Sequence, residues 1–141
     1  MASVLYNSFK RDIMNGAIDL DTDTINVMLV TSTYTPNIDT HTKRSDVTNE
    51  ISGTGYTANG SPLASKVVSV DTAGDKGVFD AADLSWTTAT FTARGAVLYK
   101  ARGGASSADE LIGYIDFVTD RSCSNGTFTI QWDTAGIITL S

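Results

Sequence analysis

Residues 86–100 read WTTATFTARGAVLYK, and the pattern changes partway along. Up to Arg94, Thr88, Thr90 and Thr92 alternate with Ala89, Phe91 and Ala93. Successive side chains of a strand point to opposite faces, so this half buries one face and wets the other. Beyond Gly95 both parities are apolar, Ala96 and Leu98 on one and Val97 and Tyr99 on the other. That is the pattern of a strand covered on both sides. A glycine at the changeover suits a bulge or bend. The stretch therefore predicts a strand that starts in a solvent-facing sheet and ends beneath another element.

The same reading gives a helix over residues 3–15, with Leu5, Phe9 and Ile13 four apart and Lys10, Arg11 and Asp12 on other faces. Ser3 is placed as its N-cap and Gly16 as its terminator. A short amphipathic helix does not persist alone. Its apolar stripe must cover a sheet or a neighbouring subunit, and it is the first candidate to lie over residues 96–99. The near-continuous apolar run INVMLV at 25–30 predicts a central strand. Shorter strands are expected at 66–70, 77–80, 84–87, 110–117, 127–132 and 137–140. Segment 110–117 should pair with the opening strand across the Gly103-Gly104 loop, and Asn125-Gly126 signals a tight turn before 127–132.

Residues 32–63 differ from the rest. They are polar, weakly periodic and hold both prolines, with a helical turn expected near 46–51. Such a long irregular segment reads as a functional loop or as one ordered by a partner. The whole chain, residues 1–141, is thus read as one mainly β domain. Its expected architecture is an antiparallel β-sandwich or small barrel with one N-terminal amphipathic helix.

Composition narrows the partners. Charged residues make up only 18%, so hydroxyl, amide and glycine positions supply much of the polar surface. A net charge of −6 opposes binding to a phosphate backbone, so no nucleic acid is expected. The lone Cys123 cannot form an intramolecular disulfide. No apolar run has the length of a membrane span, and the first residues lack a secretory pattern, so synthesis in a cytoplasm is expected.

Candidate chemistry is sparse. His41 is the only histidine and is flanked by threonines, which favours a solvated loop residue over a base. Cys123 near Arg121 reads as a small, half-buried residue in preference to a reactive thiol. The acidic run Asp19, Asp21, Asp23 resembles a calcium loop, yet Thr24 and Val30 stand where that loop needs glycine and glutamate. Gly53 and Gly55 lack the strand, helix and third glycine of a dinucleotide loop. No cofactor, metal or catalytic residue is expected, and the chain reads as a binding or assembly protein. A hydrolase would need two of the scattered aspartates to converge in a cleft. Tyr34 and Tyr56, in the polar segment, are either anchors for a partner or tethers for the loop.

Four stretches, MASVLYNSFKRDIMNGAIDLDTDTINVMLVTSTYTPNIDTH, DVTNEISGTGYTANG, WTTATFTARGAVLYK and FTIQWDTAGIITL, resemble in the same order a family of small structural proteins of tailed bacteriophages. The resemblance runs over nearly the whole chain. It implies a β-rich virion subunit without enzymatic activity, of the capsid decoration (cement) or tail-associated kind, and carries no site residues with it. The leading expectation is a decoration protein on the outer capsid surface. Its partners would be the major capsid protein and copies of itself, as a homotrimer, with Leu5, Phe9, Tyr34 and Tyr56 as interface candidates. The alternative is a tail or baseplate subunit whose partners are tail proteins or a host surface glycan.

Overall fold

The computed structural model describes residues 3–141. In chain order the elements are β1 (Val4–Leu5), α1 (Asn7–Met14), β2 (Ile25–Val30), β3 (Ser61–Pro62), β4 (Val67–Asp71), β5 (Lys76–Asp80), β6 (Leu84–Lys100), β7 (Leu111–Ile130) and β8 (Ile138–Leu140). Single turns of 3₁₀ helix occur at Arg44–Asp46 and Ser106–Ala108. The strands form two antiparallel sheets, β1-β7-β6-β2-β3 and β4-β5-β8, and neither closes into a barrel. The protein is therefore a two-sheet, mainly β structure with one helix. The apolar run of β2 lies between β6 and β3, as a central strand should.

The framework is the long hairpin of β6 and β7. In its outer half Trp86, Ala89, Phe91 and Ala93 are buried, while Ser85, Thr87, Thr88, Thr90 and Thr92 face solvent. The buried side belongs to a core with Phe79 and Ile138 of the small sheet, Phe128 and Ile130 of β7, and Ile51. In the inner half the same core takes Ala96 and Leu98, and the opposite face now carries Val97 and Tyr99. The inward parity, odd from Ala89 to Ala93, has switched to even; an earlier slip between Trp86 and Ala89, with Thr88 at φ 49°, separates it from the even Trp86. The switch occurs where pairing slips between Ala93 and Gly95. There Ala93 pairs with Arg121 but Gly95 with Asp116, so β7 bulges out between them. An added Cβ on Gly95 would lie 2.6 Å from the Tyr114 ring. That ring is only 3% exposed and packs edge-on to Tyr34, so it has no room to retreat.

Both faces of the inner half are covered from within the chain. Phe9 of α1 belongs to the core that holds Ala96 and Leu98. Over Val97 and Tyr99 lies a second cluster of Tyr6, Met28, Val30, Tyr34, Leu111 and Tyr114, with Val47 packed against it. Tyr34 and Val47 come from the polar segment 32–63, so that segment covers the sheet.

Several local expectations are corrected. The helix starts at Asn7, not Ser3, and Leu5 lies in an edge strand opposite Gly113. Tyr6 occupies the N-cap position without a side-chain cap bond, and Ser3 Oγ instead accepts the backbone N–H of Asp116 at 3.0 Å. Sheet pairing wins because it satisfies backbone groups that a helix start leaves open. Gly16, at φ 77°, does follow the helix in the left-handed conformation. Segments 84–87 and 127–132 are not separate strands, because the first merges into β6 and residues 127–130 into β7. Asn125-Gly126 is a bulge inside β7, not a hairpin turn: Asn125, at φ 49°, donates its N–H to Thr90 Oγ1 at 2.9 Å. The helical turn in the polar segment falls at Arg44–Asp46, before the predicted 46–51.

The Gly95 packing is directly testable. Gly95→Ala should lower stability by about 1–3 kcal/mol, the usual cost of overpacking. Gly77→Ala, whose added Cβ meets nothing within 4 Å, should be neutral or stabilising by up to about 1 kcal/mol. Urea denaturation of the two variants beside the wild type reads both effects.

Candidate interaction surfaces

Each of the four interface candidates takes part in the chain's own packing. Phe9 is fully buried and Tyr34 is 4% exposed. Leu5 and Tyr56 are half-buried and pack against the main core. The structure thus turns Phe9 and Tyr34 inward and gives Tyr56 an internal task. Burial of Tyr6 and Phe9 also makes the N-terminal segment part of the core.

The tyrosines bind the polar segment down. Tyr6 and Tyr34 share a hydrogen bond of 2.7 Å between their hydroxyls, and Tyr34 is 2.9 Å from His41 Nδ1. That nitrogen also accepts the backbone N–H of Asn37 at 3.3 Å, which places the ring proton on Nε2. The chain therefore runs from Tyr6 to Tyr34 to His41, each hydroxyl donating to the next. His41 stacks on Tyr34 at 5.7 Å between ring centres and is half-buried, not a solvated loop residue. Tyr56 donates to Glu50 Oε2 at 2.6 Å and accepts the N–H of Leu29 at 3.0 Å. Its ring sits 5.8 Å from Phe91 and 6.1 Å from Trp86. Burial raises the Tyr6, Tyr34 and Tyr56 phenols above their ordinary range, with the Tyr34 bond adding for Tyr6 and the Glu50 bond for Tyr56.

Ion pairs fix the other end of the segment. Arg44 Nε meets Asp109 Oδ2 at 2.8 Å, Arg44 Nη1 donates to Asn59 Oδ1 at 2.6 Å, and the guanidinium lies over the Tyr99 ring at 5.2 Å. Tyr99 in turn donates to the Asn59 carbonyl at 2.7 Å. Nearby, Arg102 grips Glu110 with two bonds of 2.6 and 2.7 Å, and Glu110 is only 3% exposed. This bidentate pair holds the Glu110 carboxyl below its usual range. Asp46 is lowered by the backbone N–H groups of Lys43 and Thr42. Gly53 and Gly55, far from any phosphate-loop context, let the segment lie against β6: an added Cβ would come within 2.5 Å of the Thr90 carbonyl or 2.8 Å of Ala89 Cα.

Cys123 is half-buried opposite Phe91, with Sγ 3.8 Å from its carbonyl. The acidic run bonds within itself and to the fold: Asp23 Oδ2 accepts the Asp19 N–H at 2.7 Å and meets Lys100 Nζ at 2.8 Å. Among the described residues no group of three or more histidine, cysteine, aspartate or glutamate side chains is placed to hold a metal ion.

Two surface features stand out instead. The first is β4, at the edge of the small sheet, where Val67, Val68 and Val70 are 54%, 51% and 76% exposed. Sequence reading placed the strand and did not find its exposure. The available signal was VVSV bounded by Lys66 and Asp71, apolar on both parities yet only a few residues long. The second is a cleft of about 580 Å³ between β7 and the segment before β8, lined in part by Phe117, Arg121, Phe128, Gln131, Trp132 and Asp133. Trp132 is fixed there by its indole N–H to the Ala82 carbonyl and its backbone N–H to Asp83 Oδ1, both at 3.0 Å. No family model, curated protein or solved structure matches the chain.

The tether assignments give two expectations. Tyr34→Phe removes the bridge between Tyr6 and His41 and leaves a fully buried hydroxyl without its partner. It should cost about 1–3 kcal/mol in thermal unfolding, whereas an exposed contact residue would leave stability unchanged. Carboxyls lowered in the folded state stabilise it above their unfolded pKa, and that stability is lost as pH falls through the folded values. Stability should therefore hold near neutrality and decline below about pH 4, and Glu110→Gln should flatten part of that decline in acid titrations followed by circular dichroism.

Proposed function

We propose that this chain is a non-enzymatic structural protein of a tailed bacteriophage. In this reading it is a decoration protein that binds the assembled capsid from outside and holds neighbouring shell subunits together. The family resemblance of its four stretches supplies the class. The observation that carries the assembly role is the open edge of β4, with three exposed valines, Val67, Val68 and Val70, flanking Ser69. Proteins that remain alone in solution blunt such edges, because unpaired backbone and apolar side chains recruit another chain. The acidic balance favours the outer surface of a capsid over the side facing packaged DNA. The long hairpin, about 55 Å at the usual rise per residue, would carry contacts from one shell subunit to the next. Individually modest contacts gain avidity when several engage together.

The cleft at Trp132 favours a second reading, a tail or baseplate subunit touching a host surface glycan. An amphipathic ring rigidly held beside Arg121, Gln131 and Asp133 suits a polyhydroxylated ligand.

Copy number separates the two. Quantitative mass spectrometry of purified particles should give a ratio to the major shell protein of order one for decoration. A ratio of a few per hundred would favour the tail. Absence from particles would overturn the virion reading.

A further inference from the structure

We propose that β4 is a self-association edge: two copies of this chain pair their β4 strands antiparallel about a two-fold axis at Ser69. The pairing joins the two small sheets into one six-stranded sheet of order β8-β5-β4-β4-β5-β8. The inference concerns the isolated chain and does not rest on the virion reading.

The sheet edges of the structure are treated unequally. β7 is open on its outer side beyond Tyr114, where Asp116, Asp120, Arg121 and the register shifts against β6 blunt it. β1 and β3 have two residues each, β3 contains Pro62, and β8 has three residues. Shortness and proline are the usual means of stopping an edge from recruiting a strand. β4 has five residues, and VVSV contains no charge, glycine or proline. Its inner neighbour β5 pairs along its whole length, from Val67 opposite Asp80 to Asp71 opposite Lys76. The other side of β4 carries no strand.

The identity of the partner follows from the strand's own composition. A two-fold axis normal to the sheet sets a residue opposite itself, and with Ser69 on the axis Val68 of each copy faces Val70 of the other. Val68 and Val70 pair with Phe79 and Gly77 of β5, so they lie on one face of the sheet. The two-fold brings four valines together there, in the cross-strand β-branched pairing that stabilises sheets. Val68 and Val70 are 51% and 76% exposed in the single chain. The ends are complementary too. Antiparallel pairing sets the Lys66 end of each strand beside the Asp71 end of the other, whereas parallel pairing would set like charge beside like.

One strand edge is a small interface, so the isolated dimer should be weak. The contact is isologous and ends at two copies. A three-fold assembly would need a second, different contact.

Sedimentation of the full chain from about 10 μM to about 500 μM should show mass rising from one chain towards two. The Val68→Lys/Val70→Lys variant, with both changes on exposed positions, should retain the wild-type circular dichroism and melting temperature. Its association should weaken at least about tenfold. A cysteine pair tests the axis: Ser69→Cys in a Cys123→Ser background should form a disulfide-linked dimer on mild oxidation, and Thr139→Cys in the same background should not. A wild-type chain that stays monomeric throughout, a lysine variant that associates as well as the wild type, or linkage through position 139 would each overturn the proposal.

Discussion

The slip in pairing at Gly95 is the constraint on which the rest of the structure depends. One strand, β6, must serve a core on one face in its outer half and two cores in its inner half. A strand of unbroken parity would turn Ala96 and Leu98 away from the side that holds Ala89, Phe91 and Ala93. The break in pairing between Ala93 and Gly95 is where β6 resets its alternation, so a single large core continues along the hairpin. The same reset leaves Val97 and Tyr99 on the far face, where something must cover them. Tyr114 fills the space that a side chain at position 95 would need. Glycine, bulge and tyrosine therefore form one device.

The cover on the far face is an unusual material for a lid. Segment 32–63 is polar in composition and supplies few aliphatic side chains. On this face it buries Tyr34 with Val47 packed beside it, while Ile51 and Leu63 go to the main core; a phenol can be buried when its hydroxyl has a partner. Tyr6, Tyr34 and His41 satisfy one another in series, and Tyr56 reaches Glu50 and the backbone of β2. The Arg44–Asp109 pair then anchors the segment to the β6–β7 connection, within which Arg102 holds Glu110. Carboxylates buried as deeply as Asp109 and Glu110 gain little net stability from pairing alone, but they penalise any arrangement that leaves one unpaired. The lid is thus specified more by bonding geometry than by hydrophobicity.

This explains what could be read from the residues and what could not. Alternation and apolar runs are local, so the two-sheet class, the central strand β2 and the hairpin partner of residues 110–117 were legible, and so was the changeover at Gly95. The role of 32–63 was not, because its burial comes from pairs such as Tyr6 with Tyr34 and Arg44 with Asp109, which lie 28 and 65 positions apart. Periodicity carries no trace of such pairs. The helix boundary failed for a related reason: Leu5 fits a helical stripe by spacing, but Gly113 lies across from it in another strand. The helical stripe marks Phe9, and position in the polar segment marks Tyr34, as an anchor for a partner or a tether for the loop; long-range packing turns both inward.

The small sheet shows the reverse imbalance. Its Phe79 and Ile138 are committed to the common core, while the valines of β4 remain outside it. A domain can leave isolated apolar side chains exposed without consequence. Three in one five-residue edge strand are a different matter, because their backbone is also unpaired on that side and the two costs are relieved by the same event. Adding a strand satisfies the open N–H and C=O groups and removes the valines from water together. Against a hairpin whose outer face is covered with paired hydroxyls, such as Ser85 with Thr129 and Thr92 with Ser122, this edge joins an open strand side to exposed apolar side chains. That contrast, and not a cluster of reactive groups, is what directs the functional reading towards assembly.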